Sequence, residues 1–219
     1  MNIPDALDDV FDGDREEFEA AVELTQEFST HPAKYKLSFE FDPQLRALPH
    51  SKQDMELYAA ILVAQARLQL DEDDQSKVVS MLGQAGAFQS MLGNIELAET
   101  YLSSALEYAD TFDCNEGVVV QQWLRLGDVL RLQGDFEEAT EAFEGAIKAI
   151  SENQSLKGFE NFALQHFAKV FFDQKNFSKA GELFQAALNL RREEQKADLV
   201  ASSEYGLKRC LELSNAKDV

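Results

Sequence analysis

The feature that most constrains this chain is an internal repeat. The strings GNIELAETYLSSAL, GDFEEATEAFEGAI and KNFSKAGELFQAAL begin at residues 93, 134 and 175 and align without gaps, a period of 41 residues. Small residues recur in register at three slots: Gly86, Gly127 and Ala168; Ala98, Ala139 and Ala180; Ala105, Ala146 and Ala187. A repeat of this length is one supersecondary unit that cannot bury its apolar face alone, so neighbouring units must stack and share a core. Each unit reads as two antiparallel helices joined by a tight turn. The second helix opens at Asn94, Asp135 or Asn176, residue types whose side chains accept a free backbone N–H at a helix start. Asp135 with Glu138 has the capping-box pattern. The small slots let the helix backbones approach, with Trp123, Leu126 and Leu130 expected to pack against Phe136, Phe143 and Ile147.

The prolines mark where the repeats begin. Pro4, Pro32, Pro43 and Pro49 all precede residue 50, and the proline-free remainder is what a helical array requires. Residues 1–52 therefore read as a separate acidic region, with ten acids and only Arg15 as a base in the first 30 residues. Phe18, Ala21, Val22, Thr25 and Phe28 share one face of an amphipathic helix expected over 14–29, which His31-Pro32 ends. Residues 35–42 (YKLSFEFD) alternate apolar and polar like a strand, with no evident pairing partner in the chain. Three arrangements would cover it. It could lie along the inner surface of its own array, where Ser80, Gly83 and Ala87 leave room and Phe39 and Phe41 reach Leu124. It could pair with the same strand of a second molecule, or pack outside helix 14–29. From residue 53 to 219 the chain reads as an array: a half-repeat at 53–70, repeats at about 75–110, 116–151 and 157–192, and a capping helix at 196–214.

Composition removes several classes of function. Forty acidic against twenty basic residues give a formal charge of -20, a field that repels phosphate backbones and anionic headgroups. Nucleic acid and membrane surfaces are thus excluded as partners. No apolar run approaches the roughly 18 residues of a membrane span, and the opening MNIPDALDDV lacks the basic-then-apolar order of a signal peptide. The expectation is a soluble, cytoplasmic protein. Cys114 and Cys210 have neither the density of a disulfide framework nor metal-knuckle spacing, and reduced thiols fit best. His166 is the lone histidine of the array. The DEDD run at 71–74 fails as a calcium loop, since Ser76 stands where glycine is needed and Leu82 where the bidentate glutamate belongs. Gly83 and Gly86 lie inside a helix and make no phosphate cradle. With no catalytic constellation, no metal site and no cofactor, the chain is not expected to be an enzyme.

The segment WLRLGDVLRLQGDFEEATEAFEGA at 123–146 resembles a tetratricopeptide repeat, through Trp123, Leu126, Gly127, Leu130, Ala139, Phe143 and Ala146. Residues 164–187 follow the same pattern, and residues 82–105 follow it more loosely. The usual period is about 34 residues. The longer period here is similar to that of kinesin light chains, Pins-type adaptors and Rap-type regulators. The resemblance implies an all-α fold, a right-handed α-solenoid of helix hairpins, whose first helices line an inner groove that grips peptides or helices of other proteins. The family's inward slots fall on Ser80, Gly83 and Ala87, then on Gln121, Leu124, Asp128 and Arg131, then on Phe162, Gln165, Lys169 and Phe172. The carboxylate clamp of chaperone-tail receptors needs lysine and asparagine where Gly83 and Ala87 stand. The expected role is a non-catalytic adaptor or scaffold, monomeric or weakly dimeric, for a protein segment of basic character. The alternatives are a peptide-responsive regulator resembling the Rap type and an acidic chaperone.

Overall fold

The computed structural model describes residues 36–70 and 74–215, with Glu23 alone before them. The amphipathic helix expected over 14–29 and most of the DEDD run lie outside the described residues. The described chain is all-α apart from one short hairpin, and consecutive helices form hairpins, the arrangement of an α-solenoid. It divides into two compact units: residues 36–40 with 47–125, and residues 41–46 with 126–215.

The first unit contains helices α1 (Lys52–Leu68), α2 (Gln75–Leu92) and α3 (Ile95–Thr111), and it takes in the beginning of α4 (Glu116–Gln133). Ser51 starts α1 by accepting the Asp54 N–H on its hydroxyl at 3.2 Å. Met55, Ala59, Leu62 and Ala66 recur at helical spacing and are buried, and α1 packs on α2, which packs on α3. The closeness of that second pair depends on Gly86: a Cβ there would lie 2.8 Å from Leu102 Cγ and 3.0 Å from the Ala98 carbonyl oxygen. Val78, Val79, Leu82, Ala105 and Tyr108 close the core.

The second unit takes in the rest of α4, then α5 (Phe136–Glu152), a 3-10 turn (Gln154–Phe159), α6 (Glu160–Asp173), α7 (Phe177–Glu193) and α8 (Ala197–Asn215). The same small slot works here, since a Cβ on Gly127 would meet the Phe143 ring at 2.8 Å. Further along, Gly206 of α8 sits against Phe184 of α7 at 2.7 Å by the same measure. The last core cluster joins Ala168, Phe172, Ala180, Phe184 and Cys210 with Leu45. Trp123 is more open to solvent than its expected place in a hairpin core implies. The buried residues of α4 include Val120, Gln122, Leu124, Leu126, Val129 and Arg131, and Trp123 falls on the remaining open strip, 41% exposed.

The helix ends repeat as faithfully as the core. Asn94 N–H donates to Gln89 O, Asp135 N–H to Leu130 O and Asn176 N–H to Phe171 O, at 2.9, 3.0 and 2.8 Å. This is the bond of a left-handed helix stop. The residues at the turn are Gly93, Gly134 and Lys175, with φ of 89°, 95° and 61°. Glycine meets the requirement twice; the third repeat places a lysine in the left-handed region. Of the three N-caps, only Asn176 makes the expected bond, accepting the Lys179 N–H at 3.2 Å. Asn94 gives its amide to Gln89 instead, and Asp135 makes no cap bond.

The strand read in residues 35–42 does find a partner in the chain. Phe39–Phe41 (β1) pairs with Ala47–Pro49 (β2) in a two-stranded sheet, with His50 N–H donating to Ser38 O at 3.0 Å. Three residues ending in proline give no alternation to detect, which is why the sequence shows no evident partner. Nor is Gly83 left open to receive a backbone. A Cβ at Gly83 would lie 1.6 Å from Gln122 Oε1, so the space belongs to the Gln122 amide.

Candidate functional site

Of the inward slots expected from the sequence, Ser80, Gly83 and Ala87 fall on α2, Gly83 buried and the other two half-buried, and the rest fall on α4 and α6. In the first unit, Gln121 is half-buried and Leu124 is buried. Beside them, Gln122 donates its amide to Val118 O and accepts Arg125 Nη1 at 2.7 Å. Burial lowers the Arg125 guanidinium to about 10.

In the second unit the slots converge on a buried cluster of charges. Arg131 donates Nε to Asp128 Oδ1 at 2.9 Å and Nη1 to Asp173 Oδ2. Lys169 Nζ lies 3.7 Å from Asp128 Oδ2, and His166 Nδ1 lies 3.4 Å from Asp128 Oδ1. The side chains of Arg131 and Lys169 are 1% and 5% exposed. Burial alone would push the Asp128 carboxyl up, yet the Arg131 guanidinium and then the Lys169 ammonium hold it well below the carboxylate range. For Arg131, burial works against the charge, but Asp128 and Asp173 outweigh it and raise the group above its ordinary value. Burial, reinforced by Lys169, lowers His166 and keeps the imidazole neutral. Lys169 is lowered by burial despite Asp128.

The remaining slots are engaged elsewhere on α6. Phe162 lies beneath two cations, Arg191 at 5.6 Å and Lys196 at 5.4 Å from its ring centre. Gln165 accepts the Ser203 hydroxyl at 2.7 Å, and Arg191 donates to Asn161, Ser202 and Ser203 and to the Leu199 carbonyl. This network ties α8 to α6 and α7. Phe172 is buried in the last core cluster, its ring edge-on to Phe177 at 5.4 Å.

Residues 41–46 occupy the same region. Phe41 covers Lys169, whose Nζ is 5.1 Å from the ring centre. Leu45, 3% exposed, enters the cluster of Phe172, Phe184 and Cys210, and Arg209 Nε donates to Pro43 O at 3.2 Å. Sequence reasoning misses this segment, and it misses His166, Asp173 and Arg191 as partners of the slots. One signal is available: Asp128 and Lys169 are one period apart and opposite in charge, so the repeat register itself places them together.

Cys210 is buried and its thiol is pushed up to about 11 by burial; burial also raises Cys114. Neither has the character of a nucleophile. Among the described residues no group of three or more His, Cys, Asp or Glu is placed to hold a metal ion, and no helix is long and apolar enough to cross a membrane.

No curated protein is matched by the chain. Residues 121–153 match the tetratricopeptide repeat family, a stretch that takes in α4 from Gln121 and the whole of α5. Tetratricopeptide repeats generally mediate the binding of one protein to another.

Proposed function

We propose that the protein is a non-catalytic adaptor that binds a peptide or helix of a partner on the inner faces of α4 and α6. One observation carries the reading: the face of α6 that presents Lys169 and Phe172 already holds a non-helical stretch of the chain, residues 41–46. In this reading Gln121 contacts the partner in the first unit, with the buried Leu124 behind it. Lys169 and Phe172 form the binding face in the second, with Phe162 and Gln165 fixing α8 beside it, and Asp128, itself bonded to Arg131, holds Lys169 in place. The formal charge of -20 favours a partner of basic character, and a cytoplasmic monomer or weak homodimer is the form that would meet it. The same held segment favours a peptide-responsive regulator as the second reading.

The test is affinity capture from native cells with quantitative mass spectrometry, using the whole chain and two variants. Gln121→Arg alters a half-buried inner slot, and Glu141→Lys alters the exposed outer side of α5. Loss of the captured partner with Gln121→Arg and retention with Glu141→Lys is the expected result. The opposite pattern places the interface on the outer helices and refutes the reading.

A further inference from the structure

We infer that residues 41–46 are a self-held ligand, and that the site they fill takes a partner peptide of the same chemistry: an aromatic residue, an Asp-Pro turn and a leucine four residues after the aromatic. This rests on the peptide-binding reading above and specifies its ligand.

The segment has the construction of a ligand that folds on itself before it binds. Asp42 accepts the N–H groups of Gln44 and Arg46 on Oδ1, both at 2.9 Å, and Arg46 Nε on Oδ2 at 2.8 Å. Asp42 N–H donates to Arg46 O, and Leu45 N–H donates to Asp42 O. The turn thus satisfies most of its own backbone and asks little hydrogen bonding of its surroundings. What it offers outward is an aromatic ring, an aliphatic side chain and one carbonyl.

The second unit supplies a complement to each. Lys169 lies beneath the Phe41 ring, the cluster of Phe172, Phe184 and Cys210 encloses Leu45, and Arg209 donates to Pro43 O. Two side-chain anchors and one backbone contact are the economy of short-peptide recognition. Leu45 adopts φ of 60°, in the left-handed region that disfavours any residue with a Cβ. The fit at Leu45 therefore outweighs a conformational penalty, as expected where a side chain is delivered to a particular pocket. Only six residues belong with this unit, while the described chain on either side of them belongs with the other. A competing peptide has to displace only that short stretch.

Cys210 provides the readout. It is buried in the cluster that receives Leu45, so release of the segment exposes its thiol. The experiment measures thiol labelling of the full chain, with mass spectrometry separating Cys210 from Cys114, and fluorescence anisotropy of a labelled synthetic peptide, SFEFDPQLRALPH, residues 38–50. Leu45→Asp opens the site, and Phe41→Ala is the milder variant should the first fail to fold; circular dichroism and proton–nitrogen spectra check both. The expected result is Cys210 labelling at least tenfold faster in the opened chain than in the wild type. The peptide should bind the opened chain at least tenfold more tightly than the wild type and restore protection. Exchanging the phenylalanine at peptide position 41 for serine should abolish binding, and Arg209→Ala in the opened chain should weaken it several-fold.

A folded, opened chain that ignores the peptide overturns the inference. So does equal binding to wild type and variant, which places the peptide elsewhere. Concentration-dependent dimers of the opened chain, with Cys210 protected only in the dimer, would assign the site to a second copy and also overturn it. None of these results decides whether Gln121→Arg loses a cellular partner, so the two readings fail separately.

Discussion

Replacing Asp128 by asparagine preserves the shape of the side chain and removes one of two negative charges from a cluster with two of each sign. With His166 neutral, Asp128 and Asp173 face Arg131 and Lys169. At an effective dielectric near 20, an ion pair at the 3.7 Å between Lys169 and Asp128 is worth about 4 kcal/mol before desolvation is counted. Neither cation can turn to water, because their side chains are 1% and 5% exposed. Breaking such a pair from one side costs about 3 to 5 kcal/mol. The substituted amide would still accept from Arg131 through its oxygen, and Asp128 is 19% exposed, so the lower end, about 3 kcal/mol, is expected. For a chain of this size each kcal/mol moves the melting point by about 2 to 4 °C, giving a fall of about 6 to 12 °C. Urea unfolding followed by circular dichroism measures the free energy and a thermal scan the melting point, and if two transitions resolve, only that of residues 126–215 should move. Asp128→Asn combined with Lys169→Met restores the charge balance and should recover more than half of the loss. A loss below about 1 kcal/mol, or a double variant no better than the single, refutes the argument. The pH dependence adds a sign. Because the folded Asp128 lies below its unfolded value, its contribution is complete above the ordinary carboxyl range and disappears as pH falls through the lower folded value. The gap between wild type and Asp128→Asn should be flat from about pH 5 to 7 and close below about pH 4.

His166 works in a neighbouring pH range: its folded value lies below the ordinary 6.5, so stability is complete above that and declines as pH falls from it. His166→Gln should flatten the melting point against pH between about 5 and 7, and an unchanged slope would assign the acid sensitivity elsewhere. Gly134→Ala should cost about 1 kcal/mol, since φ of 95° suits glycine alone, whereas Gly158→Ala, with open space around it, should be nearly neutral. Equal denaturation midpoints for these two would remove the left-handed turn from the account.

The repeat is legible because it is written in small residues. Gly86 and Gly127 can be read as close-approach positions, and the Cβ distances to Leu102 and Phe143 give the reason. The helix stops at Gly93 and Gly134 are legible for the same cause: one residue type answers a backbone requirement. Lys175 shows the limit, since the third repeat makes the same turn without announcing it. The hairpin is half legible. Alternation marks residues 39–41, but Ala47–Pro49 is too short to show a period. Residues 41–46 are not legible as part of the second unit because their partners are distant in sequence, Lys169 and Arg209 among them. Gly83 misleads because a small residue can make room for a ligand or for a neighbour, and only the position of Gln122 decides between the two.

The same ambiguity governs the charged slots, and burial resolves it. In a helical repeat array, a residue on the first helix faces both the groove and the next repeat, so a charge at that slot can serve a ligand or a neighbour. Asp128 and Lys169 are one period apart in register, and Asp173 lies one residue beyond the equivalent of Arg131 one period later. Opposite charges at corresponding slots meet each other before any partner arrives. Arg131, with both of its bonds made within the cluster, has no guanidinium face to offer an acidic ligand group, and removing it would test folding before it tested binding. Lys169 differs, because what lies over it is the Phe41 ring, a contact that another aromatic side chain can reproduce. Arg209, 22% exposed and joined to a backbone carbonyl, can likewise accept any peptide of the right turn. Selectivity at this end of the chain then rests on shape and aromatic character rather than on ligand charge, and added salt should weaken partner binding there far less than the formal charge of -20 suggests.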